Sequence, residues 1–470
     1  MIPLIFTGIL NRIQKTHAIL RNFPILGYFR YAFEAIAPEI QQYFIERSTD
    51  GVPYSRNHRA LAYRRAKNVN DTTPFGTQLD LMTNEYEAIR HSIYATDPVE
   101  EFPRVTIGSS LCSHPYSASV LNISAMSFGA LSKNAIMALS AGAKRGEFYH
   151  NTGEGAISDY HLKGGGDLVW QIGTGYFGCR AKDGSFDPEK YKEKSSLEAV
   201  KMIELKVSQG AKPGHGGVLP SIKNTKEIAR YRGIEPHTTV LSPPGHRGIK
   251  KPEDIINFIK QLRELSGGKP VGFKLCIGRT EEFIELVEAM VKLKAWPDFI
   301  TVDGAEGGTG AAPLEFSDSV GIPLEPALIF VDATLKKYKL RNEIKVIASG
   351  KVLSAFSILR MMALGADLCN SARAFMFSLG CIQALRCNSN DCPTGVATQD
   401  KMLNKGLDVT DKTERVYYFH KNTIHAVLEL LGACGCQHTD QIKIEMFVKG
   451  DEMVALSNKF FPDSVLNRVD

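Results

Sequence analysis

The chain has 470 residues, 43% of them hydrophobic and 23% charged, an ordinary globular composition with enough material for two or three average domains or one large barrel. A formal charge of +5 spread over that length, with no zinc-finger spacing or arginine-rich run, argues against nucleic acid as a partner. Nine cysteines without a secretory signal point to a reducing, cytoplasmic setting and to thiols or metal ligands, not to a disulfide framework.

Met1 to Leu10 are mostly apolar, too few to span a bilayer, and interrupted by Pro3 and Gly8. They read as a buried or self-capping helix or, since Arg12, Lys15, Arg21 and Arg30 come next, as a contact with a membrane surface or a partner, which would make the protein peripherally membrane-associated. Thr16 to Arg47 is helical in pattern, with breaks expected at Pro24 and Pro38. Ser48 to Thr77 is polar and basic, with Gly51, Pro53, Pro74 and Gly76 as turn markers. Residues 1–110 are thus expected to form a mostly helical extension packed on the main body of the protein. Its basic residues suit a solvated face or, alternatively, a docking patch for an acidic electron-transfer partner.

From residue 120 short apolar runs alternate with helical segments, the pattern of βα units on a parallel sheet. Eight strands are predicted, at Leu121–Ala125, Phe148–Asn151, Ile203–Val207, Val240–Ser242, Gly272–Leu275, Phe299–Val302, Val346–Ala348 and Leu368–Asn370. Eight is the number a (β/α)8 TIM barrel of the α/β class needs, here over residues 111–406. Glu414 to Leu431 carries apolar residues at helical spacing, so residues 407–470 are expected to pack on the barrel exterior.

The polar ends of these strands carry the chemistry. Gly350 and Lys351 after one apolar run, and Ser371 and Arg373 after the next, suit a phosphate held by backbone N–H groups at the carboxyl end of a barrel. Three cysteines come directly after, in Cys381-Ile-x4-Cys387-x4-Cys392-Pro393, within a loop at 381–398. Their spacing suits a metal or iron–sulfur centre. Zinc would need a fourth ligand, which Cys369 could add; inert buried thiols are the other reading, and it is the one taken for Cys112, Cys179, Cys276, Cys434 and Cys436. Small-residue loops succeed other strands: Ser124 to Ser132, with Met126, Ser127 and Phe128; Asn151 to Gly155, with Glu154; Gln209 to Pro220, with His215; Leu241 to His246; and Asp303 to Leu314, with Gly308, Thr309 and Gly310. Lys274 stands near the end of the Gly272–Leu275 run.

These stretches together resemble the synthase core of the FMN-binding glutamate synthase family, from about Leu111 to Gly406, and the cysteine loop is the most specific of them. The resemblance implies FMN along the backbone of Met126, Ser127 and Phe128, beside Gly308, Thr309 and Gly310, with its phosphate near Gly350, Lys351, Ser371 and Arg373. It implies a 3Fe-4S cluster on Cys381, Cys387 and Cys392. Lys274, Glu154 and His215 become catalytic candidates, Lys274 by placing positive charge near the flavin pyrimidine edge. The implied enzyme is an oxidoreductase of the class acting on CH–NH2 donors. Electrons would enter at the cluster, and glutamate would form from 2-oxoglutarate and ammonia through an imine. The family's N-terminal glutaminase cysteine has no counterpart before Cys112, and no dinucleotide-binding glycine fingerprint is present. Ammonia is therefore expected from solution or a separate glutaminase, and electrons from a ferredoxin or a reductase subunit. Two positions depart from the family: His215 stands for Glu and Val218 for Gln. They leave open a different 2-oxo acid or imine as substrate, and a non-catalytic electron-relay subunit is the third reading.

Overall fold

The computed structural model describes residues 2–452; the tail expected to pack on the barrel lies, from residue 453 onward, outside the described residues. The chain divides into two compact units, Met1–Ala60 and Leu61–Asp470.

In the larger unit eight parallel strands close into a barrel in chain order. They are β1 (Leu121–Ile123), β2 (His150–Asn151), β3 (Leu168–Ile172) and β4 (Val200–Lys206). β5 (Val271–Leu275), β6 (Phe299–Asp303), β7 (Lys345–Ser349) and β8 (Leu368–Ser371) complete the set, and β8 pairs back onto β1. The count of eight matches expectation, but one member differs. Val240–Leu241 is not a barrel strand; it pairs antiparallel with Val218–Leu219 in a small hairpin, and Leu241 is exposed. Its place is taken by β3, all five residues of which are buried.

The helices behind the strands begin where the sequence supplies caps. Ser132 accepts the Ala135 N–H at the head of Lys133–Gly146, and Ser354 accepts the Ser357 N–H at the head of Ala355–Ala363. Asp408 caps the long helix Val409–Ala433. That helix lies on Lys133–Gly146, where Gly142 faces Val416 with no room for a side chain. His420 on the same helix stacks on Phe148 at 4.0 Å and bonds the Ser119 hydroxyl at 2.9 Å. The core runs through Tyr149, Val169, Met202, Phe299, Ile347 and Leu368, close to the strand starts, and the hairpin Arg104–Ile107/Tyr116–Ser119 adds Ile107 and Ala118 to it. With apolar residues filling the amino-terminal end, the opposite end of the barrel is left to polar side chains.

The smaller unit is helical: Ile2–Ile13, Ala18–Asn22 and Gly27–Ile40, then a π-helical turn Gln41–Ile45. The break near Pro24 is present. Pro38 does not break its helix; it sits inside the last turn, and the hydrogen bonding relaxes to the π-helical turn directly after it. The opening helix is not buried, for Leu4, Ile5, Phe6, Ile9 and Leu10 are exposed. Arg56–Ala66, in the stretch read from sequence as polar turns, is a helix. Among the described residues no helix is long and apolar enough to cross a membrane.

Candidate active site at the carboxyl end of the barrel

The site is built upward from a carboxylate inside the barrel. Glu204, on β4, is buried and accepts three hydrogen bonds from three other strands: Asn151 Nδ2 at 2.8 Å, Gln171 Nε2 at 2.6 Å and Thr301 Oγ1 at 2.6 Å. Two residues further on, and so on the same face, stands Lys206. Its register partner on β5 is Lys274. Each lysine has a carboxylate of its own. Lys206 Nζ lies 2.8 Å from Glu154 Oε1, and Lys274 Nζ lies 3.2 Å from Asp303 Oδ2. Asp303 also accepts the Gly210 N–H at 2.7 Å and the Ser349 hydroxyl at 2.7 Å.

These contacts fix the charges. Burial alone would lower the Lys274 ammonium, but Asp303 and then Glu204 outweigh it and raise its pKa. Burial would raise the Glu154 carboxyl, but Lys206 outweighs it and holds it ionised at neutral pH. Lys212, which donates to the Ala311 carbonyl at 2.7 Å, is pushed down to about 8 by burial and then by Lys206, with Glu154 opposing.

The loops beyond the strands pack backbone on backbone. A side chain at Gly153, whose φ is +62°, would approach the Ser127 nitrogen to 2.8 Å, so Gly153 keeps that loop against Met126 and Ser127. Phe128 turns its ring into a cage of Tyr160 and Tyr231, and its carbonyl accepts Arg232 at 3.3 Å. The N–H groups of Gly350 and Lys351 donate to no acceptor among the described residues, and Lys351 is held at a φ of +48°. Ser371 Oγ donates to the Val352 carbonyl at 2.5 Å and Arg373 Nη2 to the Glu306 carbonyl at 2.7 Å. Arg373 thereby anchors the loop that carries Gly308, Thr309 and Gly310. His215 lies at the rim, half-buried, with its ring edge-on to Phe316 and its Nδ1 2.8 Å from the Gly216 carbonyl. Val218 opens the small hairpin. Free donors after β7 together with lysines at the mouth suit a phosphorylated, planar cofactor such as FMN.

The cysteine loop adjoins this mouth, for a side chain at Gly310 would put its Cβ 3.7 Å from the Cys387 Cβ. Beneath the loop Lys223 is buried and donates to the carbonyls of Ala130 at 2.6 Å, Cys387 at 3.1 Å and Ala397 at 3.1 Å. Tyr63 donates to the Cys381 carbonyl at 2.6 Å. Burial pushes the Cys381 thiol up to about 12 and raises Cys387, with Cys392 adding to both. Cys392 is lowered: burial is outweighed by hydrogen bonds from the Thr394 hydroxyl and the N–H groups of Ala397, Thr394 and Val396. The three thiols therefore share one neighbourhood, one of them ringed by donors as an anionic sulfur ligand needs. They are not drawn together into a ligand set, and among the described residues no group of three His, Cys, Asp or Glu side chains is placed to hold a metal ion. Cys369 sits within β8, and the rise of its pKa has burial as its sole cause.

The sequence alone singles out Lys274 and Glu154 without their partners. Lys206 stands one residue before the end of a predicted strand, as Lys274 does, and that signal could have found it. Lys223 and Glu204 carry no such mark, since their roles arise only from contacts across strands and loops.

Residues 62–437 match the family model described as the conserved region in glutamate synthase. The chain is 39% identical over 462 residues to the glutamate synthase large subunit-like protein YerD of Bacillus subtilis, covering 90% of this chain and 88% of that one. It is 36% identical over 322 residues to the archaeal glutamate synthase (NADPH) of Methanocaldococcus jannaschii, covering 68% of this chain and 60% of that one. Among solved structures, the flavin-binding domain of baker's yeast flavocytochrome b2 aligns with a TM-score of 0.46 and 14% identity, covering 94% of this chain and 91% of that one.

Proposed function

Because the chain belongs to the glutamate synthase family, we propose that it is a flavin- and iron–sulfur-dependent oxidoreductase that forms glutamate from 2-oxoglutarate and ammonia through an imine. The observation that carries this reading is the double array Lys206–Glu154 and Lys274–Asp303 at the barrel mouth. Gly350, Lys351, Ser371 and Arg373 would hold the FMN phosphate, and Met126 to Phe128 and Gly308 to Gly310 would flank its ring. The chemistry FMN supplies when bound is hydride transfer. Cys381, Cys387 and Cys392 would hold a 3Fe-4S cluster, a one-electron carrier.

The residues of the chain do the rest. Lys274, kept cationic by Asp303, stabilises negative charge on an anion at the mouth. Lys212 adds a second cation for a substrate carboxylate. Glu154, kept ionised by Lys206, accepts the N–H of an ammonium or imine nitrogen. His215 at the rim offers an imidazole that can donate or accept a hydrogen bond. Electrons would come from a ferredoxin or a reductase subunit, and ammonia from solution or a separate glutaminase.

The test is anaerobic. Chemically reduced enzyme is mixed with 2-oxoglutarate and ammonium, and flavin reoxidation with stoichiometric glutamate is the expected result. Flavin that stays reduced with this pair but is reoxidised by another 2-oxo acid or imine would establish a second reading, the same redox chemistry on a different substrate. That reading is favoured by His215 packed on Phe316 and by Val218, which offers the site no amide. Failure with every such substrate would leave an electron-relay subunit.

A further inference from the structure

The Met1–Ala60 unit keeps a broad set of apolar side chains in the open. Two of its polar side chains, Asn11 and Gln14, turn back onto the unit itself: Asn11, 7% exposed, donates to the Pro24 carbonyl at 2.6 Å and accepts the Tyr28 hydroxyl at 3.3 Å. Gln14 donates to the carbonyls of Asn11 and His17 and accepts the N–H groups of Thr16 and His17. Its apolar side chains point outward: Phe6 is 62% exposed, Ile13 68%, Leu26 67%, Phe29 61%, Phe33 62% and Phe44 83%. A water-soluble helix pair does the opposite. Satisfying polar groups internally while presenting apolar ones outward is what a hydrocarbon environment demands.

The charges select the occupant. Residues 2–45 carry Arg12, Lys15, Arg21 and Arg30 against Glu34 and Glu39; Arg30 pairs with Glu34 at 2.6 Å, while Arg12, Lys15 and Arg21 precede any carboxylate in the chain. A second copy would set this positive charge against itself, whereas anionic lipid headgroups complement it. The helix Ile2–Ile13 has 12 residues, about 18 Å at the α-helical rise, well short of the roughly 30 Å hydrocarbon core. That length suits a helix lying in the interface.

We propose that residues 2–45 dock this enzyme on an anionic bilayer surface, seating Phe6, Leu26, Phe29 and their neighbours among the acyl chains with the basic residues at headgroup level. Docking of this kind is independent of the reaction at the barrel.

Flotation of the full chain tests it, with vesicles of equal parts phosphatidylcholine and phosphatidylglycerol and with phosphatidylcholine alone. The expected result is flotation with the anionic vesicles only, weakened by added salt. A Phe6→Glu/Phe29→Glu variant should bind at least about tenfold less, from the apolar burial forfeited. Both positions are exposed, and an unchanged far-UV circular dichroism spectrum verifies the fold; Phe44→Glu serves should the double variant misfold. Equal flotation with neutral vesicles would overturn the proposal, as would equal binding of the variants. So would absence from all vesicles together with a concentration-dependent dimer that Phe29→Glu disperses, which would give the face to a second copy.

Discussion

Lys206 and Lys274 stand side by side, in register, on neighbouring barrel strands, and each is neutralised by a carboxylate from a different strand end. Two ammonium groups so placed repel strongly in a poorly solvated site, so neither is tolerable there without its partner. Glu204 lies beneath them, and Lys212 and Arg232 add positive charge around Glu154. A bound anion thus meets lysines already oriented by their carboxylates.

Lys274→Met should therefore do two separable things. It leaves Asp303 buried and short of its cation, which costs about 3 kcal/mol of stability and lowers Tm. It also abolishes turnover while flavin stays bound. Lys274→Met/Asp303→Asn should recover most of the stability but none of the turnover. An unaffected rate in the single variant removes Lys274 from the mechanism, and recovery of turnover in the double variant shows that its role is structural.

Noncovalent FMN is expected in the supernatant of heat-denatured protein. Arg373→Ala should reduce flavin occupancy, because Arg373 tethers the Glu306 carbonyl and with it the Gly308 loop. Full occupancy in that variant would place the phosphate site elsewhere, and a supernatant free of FMN would overturn noncovalent FMN binding itself.

The barrel was legible because strand ends announce themselves: apolar residues stop at Asn151, Asp303, Ser349 and Ser371, where polar groups are wanted at the mouth. The same signal misled at Val240–Leu241, an apolar run halted by Ser242 and two prolines, whose neighbours are a two-residue hairpin partner and solvent. β3 escaped notice because Gln171 interrupts its apolar run, and Gln171 is there for Glu204. Lys274 and Glu154 could be picked out by position. Their partners could not, since Glu154 and Lys206 are joined across barrel strands and only folding brings them within 2.8 Å. The apolar N-terminus read first as a buried or self-capping helix and only second as a surface contact, because hydrophobicity alone does not say what covers it.

Lys212 gives the site a pH signature. Its folded pKa, about 8, lies below the ordinary 10.5. Between these values the unfolded chain binds more protons than the folded one, so this group makes stability rise with pH across that window. Over the same range the barrel mouth loses a cation. Binding of 2-oxoglutarate, measured by titration, should weaken several-fold as pH rises through about 8, without a matching loss of stability from this residue. Lys212→Met should flatten that step, and a wild-type affinity that is flat through the same range would show that Lys212 does not face the substrate.

The cysteine loop allows the sharpest dissection. Cys381→Ser, Cys387→Ser and Cys392→Ser should each lose cluster iron and sulfide, since three ligands admit no substitute. Cys112→Ser should not, because Cys112 only hydrogen-bonds the Gly268 carbonyl, away from the loop. Lys223 adds a test that leaves the thiols in place. Its three hydrogen bonds tie the Ala130 carbonyl, in the loop after β1, to the Cys387 and Ala397 carbonyls of the cysteine loop. Lys223→Met keeps most of the buried volume but leaves three carbonyls without their donor, at about 1–3 kcal/mol for each that stays unsatisfied. The loop should loosen and cluster iron should fall, while flavin occupancy falls less, because Gly350 and Arg373, the residues proposed to hold the phosphate, lie outside those three bonds. Stoichiometric iron in Cys387→Ser would overturn the cluster assignment. Full iron content in Lys223→Met would show that the cysteine loop holds its shape without that lysine.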